Sequence, residues 1–107
     1  MNSRERYAFE KFGVAVDGMA TSAQSIQRRL FNAYMSFHPV KESDFQDAED
    51  AELYRRIHDR LTSVKDGPES RGYVQNTLDQ MSDEEAEDLA EDIVRLAGRL
   101  ERKARGI

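Results

Sequence analysis

The chain reads as an all-α protein, a compact bundle of four to five short antiparallel helices in one domain over residues 1–107. Three observations lead there. Apolar residues recur at three- and four-residue spacing along most of the chain, and no segment alternates with period two for long enough to make a strand. Thr21, Ser43 and Ser82 are each followed three positions later by Gln or Glu, the pattern of a capping box. The Gly and Pro breaks are brief, which leaves short connections and antiparallel neighbours.

Helix one is expected from Ser3 to Met19, with Phe9, Phe12, Val16 and Met19 on one stripe, and Asp17-Gly18 and Thr21-Ser22 suggest a break after it. Gly13 weakens it by about 1 kcal/mol relative to alanine. Thr21 and Gln24 then cap helix two, expected from Ser22 to Phe37 with a seam of Ile26, Leu30, Ala33 and Phe37. His38-Pro39 ends it, because proline lacks an amide proton and disfavours helix in the residue before it.

Ser43 and Gln46 are expected to open helix three near Asp44, with Phe45, Ala48, Leu53, Ile57, Leu61 and Val64 facing the core. Glu52 and Arg56 stand four apart, a favourable pair on a helix surface. Asp66-Gly67-Pro68 stops this helix and restarts the chain as helix four, expected from Pro68 to Gln80 through Val74 and Leu78. Helix five is the clearest. Ser82 and Glu85 cap it, and Leu89, Ile93, Leu96 and Leu100 form its seam. Asp83 to Asp92 holds seven acids and no base, whereas Arg95 to Arg105 holds five bases and one acid, an order that complements the helix dipole.

Composition narrows the function. A length of 107 residues supports one core without metal or disulfide staples. Cysteine is absent, which excludes thiolate metal sites, disulfides and a cysteine nucleophile. The start, Met-Asn-Ser-Arg-Glu-Arg-Tyr, has no apolar signal core, and no apolar run approaches the roughly 20 residues of a membrane span, so a soluble cytoplasmic protein is expected. The net charge of −5 disfavours bulk nucleic-acid binding, which depends on neutralising phosphates.

No catalytic motif and no cofactor motif stands out. The glycines are scattered and no phosphate loop follows a strand. The serines lie in cap or helix contexts rather than on a strand-turn-helix elbow. His38 precedes a proline, with scope to cap a helix-two carbonyl, and His58 follows Tyr54 by one turn; neither has the paired carboxylates of a metal set. Glu84, Glu85 and Asp88 are the candidate ligands for a hard cation, with the acids of helix three as a second wall. That arrangement would suit a magnesium-dependent all-α nucleotide hydrolase, but the repeated spacing and the basic or amide set for a phosphate are missing. The run of acids is equally what a solvated, dipole-complementing helix start requires.

Two further sets remain. Arg28 and Arg29 with Gln24, Gln27 and Asn32 carry base-edge chemistry, which makes a DNA-binding regulator an alternative, although the surrounding chain is acidic. Six of the nine aromatic residues precede His38, and Phe31, Tyr34 and Met35 cannot share one side of helix two with Ile26, Leu30 and Ala33. The surplus is expected to form a contact patch. The partner-binding residues are then Phe31, Tyr34, Met35, Arg28 and Arg29, the partner another protein or a second copy in a homodimer, and the acidic faces a means of steering a basic partner.

Overall fold

The computed structural model describes residues 1–65 and 72–107. Among these residues there are, in order, five α-helices, α1 (Ser3–Thr21), α2 (Ile26–Phe37), α3 (Ala48–Leu61), α4 (Gly72–Asp79) and α5 (Asp83–Arg105), and one turn of 3-10 helix at Glu42–Asp44. There is no strand among the described residues. The all-α bundle expected from the periodicity is the fold. No described helix is long and apolar enough to cross a membrane.

The helices start where short polar side chains meet free amides. Asn2 accepts from the Glu5 amide at 2.9 Å, Ser25 from Arg28 at 3.1 Å, and Ser82 from Glu85 at 3.1 Å. The Ser82 cap is the expected one, with Glu85 accepting in return from the Ser82 amide at 3.4 Å. Gly106 closes α5 in the left-handed conformation, φ 76°.

Several boundaries differ from the sequence expectation. Helix one runs through Asp17-Gly18 and ends at the other expected break, Thr21-Ser22, where the Thr21 hydroxyl donates to the Asp17 carbonyl at 2.8 Å. That bond occupies the side chain expected to cap helix two, and Ser25 takes the cap instead. Nor do Ser43 and Gln46 open α3. Asp44 accepts from the Lys41 amide at 3.0 Å to close the 3-10 turn, the Gln46 amide goes to Glu5 at 2.8 Å, and Asp47 becomes the cap. Helix α3 stops at Leu61 rather than Val64, because the Val64 amide leaves the helix to reach Thr77 Oγ1 at 3.0 Å. The expected stop and restart at Asp66-Gly67-Pro68 lies outside the described residues.

Ion pairs and caps define the helix directions. Arg29, early in α2, donates to the Met19 carbonyl late in α1 at 3.2 Å, and Phe37 at the end of α2 stacks on Phe12 two turns further back, which makes the first two helices antiparallel. Glu5 of the first α1 turn meets Lys103 near the end of α5 at 3.1 Å. Asp50, early in α3, meets Arg99 late in α5, while Arg60 late in α3 meets Asp88 early in α5 at 3.2 Å. Helix α5 is thus the spine, with α1 and α3 antiparallel to it and α2 also against it.

Leu89, Ile93, Leu96 and Leu100 of the α5 seam are fully buried, as their spacing predicts. Opposite them lies an aromatic cluster. Phe12 stacks on Phe37 with ring centroids 4.5 Å apart, and Phe45 and Tyr54 meet Phe12 edge-on at 6.5 and 6.2 Å. The Tyr54 hydroxyl donates to the Val40 carbonyl, tying the segment after α2 to α3. Burial pushes this phenol up to about 12 from 10.0.

Two outcomes are expected. Leu96→Ala leaves a cavity in the seam and lowers unfolding free energy by about 2–5 kcal/mol, read as a shifted urea midpoint with an unchanged slope. For Tyr54, the folded-state value lies above the unfolded one, so its contribution to stability is intact below pH 10 and lost as pH rises toward about 12. The phenolate absorbance titration should end in a phase near 12 that disappears in Tyr54→Phe.

Candidate functional site

The polar framework of the bundle comes first, because it decides which charges are left over. Among the described residues three carboxylates are buried: Glu5 at 0% exposure, Asp50 at 2% and Asp92 at 6%. Such groups persist only when paired and hydrogen-bonded. Glu5 receives the Gln46 amide at 2.8 Å and the Lys103 ammonium at 3.1 Å. Asp50 holds Arg99, which also reaches Glu49 at 3.2 Å. Asp92 is met by Arg56 at 3.0 Å, Arg60 at 3.1 Å and Arg95 at 2.7 Å.

These contacts perturb their members. The Asp50 hydrogen bond raises the Arg99 guanidinium further above its usual range, and Glu52 does the same for Arg55. The Glu49 amide, donated at 2.8 Å, is the main cause holding the Asp47 carboxyl below the usual carboxylate range. The expected Glu52–Arg56 pair does not form. Glu52 takes Arg55 one residue nearer, since Arg56 turns to Asp92.

This framework is what sequence reasoning missed. A signal was present: Glu5, Asp50 and Asp92 each sit at seam spacing, three residues from Ala8, Leu53 and Leu89. An acid on a buried stripe demands a cation, and Lys103 together with the arginines of α3 and α5 supplies them.

The acids proposed for a cation are dispersed by the same framework. Glu84 is exposed, Glu85 is engaged with Ser82 at 2.9 Å, and Asp88 is paired with Arg60. Among the described residues no group of three or more His, Asp or Glu is arranged to hold a metal ion. Guanidinium groups stand where the helix-three acids would have faced it, and Arg55, Arg56 and Arg60 line the cleft there with Glu52, Asp59 and Glu85.

The set proposed for base reading is likewise used internally. Arg29 is bound to the Met19 and Gln24 carbonyls, Gln24 bonds Asn32 at 3.0 Å, and Gln27 bonds the Met81 carbonyl at 3.0 Å and Asp83 at 2.8 Å. His38 Nδ1 lies 3.3 Å from the Met35 carbonyl, the capping contact its position implied. His58 lies beside Tyr54, with ring centroids 6.2 Å apart, and both histidines line one shallow pocket with Lys41 and Glu42.

On α2, Leu30, Ala33 and Phe37 fill the core. Phe31 and Tyr34 are half-buried against it, and Met35 is 52% exposed. Arg28 lies over the Phe31 ring at 5.2 Å, so these two and Met35 form a small amphipathic surface. Arg29 does not belong to that surface, because its guanidinium caps α1. A second apolar feature was not foreseen. Ile26 of α2 faces Ala90 and Val94 of α5 across a shallow groove rimmed by Glu87, Glu91 and Arg95, with Val94 49% exposed.

Compared with protein-family models, curated proteins and solved structures, the chain matches none of them.

The ionic framework makes one prediction. Lys103→Met strips the cation from a fully buried carboxylate and costs about 3–5 kcal/mol in urea unfolding. Adding Glu5→Gln, which keeps the acceptor for the Gln46 amide but removes the charge, should recover most of that loss.

Proposed function

We propose that this chain is a small helical protein-binding module, with self-association as its simplest form. The supporting observation is the pair of half-exposed apolar side chains, Met35 on α2 and Val94 on α5, each carried by a helix whose opposite face already fills the core. Neither is needed inside. Met35 stands beside the Arg28–Phe31 contact, and Val94 lies in the groove with Ile26 and Ala90. Apolar anchors with charged rims are what a docking surface needs for affinity and for steering. The magnesium and DNA-reading alternatives have weaker support, because their side chains are largely committed to internal ion pairs and hydrogen bonds.

A photo-crosslinking residue placed at Met35, at Val94 and, as a control, at exposed Ser43 tests this in the cells that make the protein. Adducts of discrete mass from Met35 or Val94 and none from Ser43 are expected. An adduct of twice the chain mass identifies a second copy. No adduct at either position, or the same products at all three, overturns the reading.

A further inference from the structure

The charges of α5 divide into two groups. Those beside the core are engaged: Asp88 and Asp92 with the α3 arginines, Arg99 and Lys103 with Asp50 and Glu5. Those on the outer face are not. Among the described residues Glu84, Glu87, Glu91 and Arg102 make no ion pair, and Arg105 has only a 3.7 Å contact with exposed Glu101.

The outer face is a continuous stripe at three- and four-residue spacing: Glu84, Glu87, Glu91, Val94, Gly98, Arg102, Arg105. Each is exposed except Gly98, which is half-buried. Run in the opposite direction, this stripe is complementary to itself. An antiparallel copy centred beside Val94 sets Glu84 against Arg105, Glu87 against Arg102, and Glu91 against Gly98. The apolar groove of Ile26, Ala90 and Val94 then falls next to the two-fold axis, where an interface is best shielded from water.

Gly98 fits the same arrangement. Glycine is unfavourable within a helix, and the protein's own packing does not require it: a Cβ there would meet only the flexible Arg102 Nη1, at an ordinary 3.7 Å. Without a side chain, Gly98 permits a partner helix to approach beside Val94.

We infer that the outer face of α5 binds a second copy of this chain, forming a two-fold antiparallel pair of α5 helices around Val94 held in register by Glu87–Arg102 and Glu84–Arg105 contacts between copies. This rests on the protein-binding reading above and assigns its partner. Because the charged contacts are exposed, the dimer is reversible and weakens as salt screens them.

The test is sedimentation equilibrium of the full chain at several concentrations and two salt levels. A concentration-dependent dimer weakened by salt is expected. Glu87→Arg and Arg102→Glu should each weaken dimerisation by about tenfold, since each sets like charges opposite one another in both halves. The double variant should return to near wild-type affinity. Residues 87 and 102 lie about 22 Å apart along one helix, so such rescue can only act between copies. Far-ultraviolet circular dichroism of each variant checks that the fold is kept.

A monomer at all concentrations, or a double variant no tighter than the singles, overturns the pairing. If Val94 or Met35 still crosslinks to a chain of a different mass, the binding reading stands without this partner; no adduct at either position removes both.

Discussion

Glu5 is a carboxylate with no access to water, and among the described residues the cation that reaches it is Lys103, almost the full length of the chain away. An unpaired charge in that position would cost several kcal/mol, so the pair constrains everything around it. It brings the first turn of α1 to the last turns of α5. Through the Gln46 amide it also draws in the segment that leads to α3. Asp50 and Asp92 repeat the device one and three turns away along α5, each held by arginines. Apolar burial drives the collapse, but leucine stripes tolerate sliding. The buried carboxylates meet their cations in the observed register and direction of α1 and α3 against the spine, and a slip of either helix would leave them unpaired.

That framework also sorts the surface. Each base drawn inward is unavailable to a ligand, and each acid neutralised by an arginine is a poor metal donor. Charge on this protein is therefore a poor guide to function unless the committed groups are first subtracted. After that subtraction the outer face of α5 and the exposed edge of α2 remain, together with the solvent side of α1, where Val14 is 57% exposed. The α5 face and the α2 edge each set a half-exposed apolar side chain, Val94 or Met35, beside charge that makes no internal ion pair among the described residues.

The legibility of the chain follows the range of the interactions involved. The seam of α5, its Ser82 cap and its charge gradient depend on neighbours within four residues, and all were readable. The caps of α2 and α3 were misplaced because several competent side chains stood close together, and distant contacts chose among them: Gln46 was withdrawn toward Glu5, and Val64 toward Thr77. Of the surface residues expected on α2, Met35 is exposed and Phe31 is stacked under Arg28, whereas Arg29 turned inward to cap α1. The arc of a helix shows that surplus apolar surface exists; it does not show which neighbour will cover part of it.

By itself, then, the sequence determined that the chain would be helical, where its apolar stripes lie and how its last helix begins and ends, because those properties arise from spacing and from backbone chemistry within a turn or two. Tertiary structure alone decided which acids are buried, which arginines answer them and which face of α5 is left with unpaired charge. The physical reason is that the cost of a charge depends on its access to water and on the opposite charge within a few ångströms, and both are set by helices far apart in sequence.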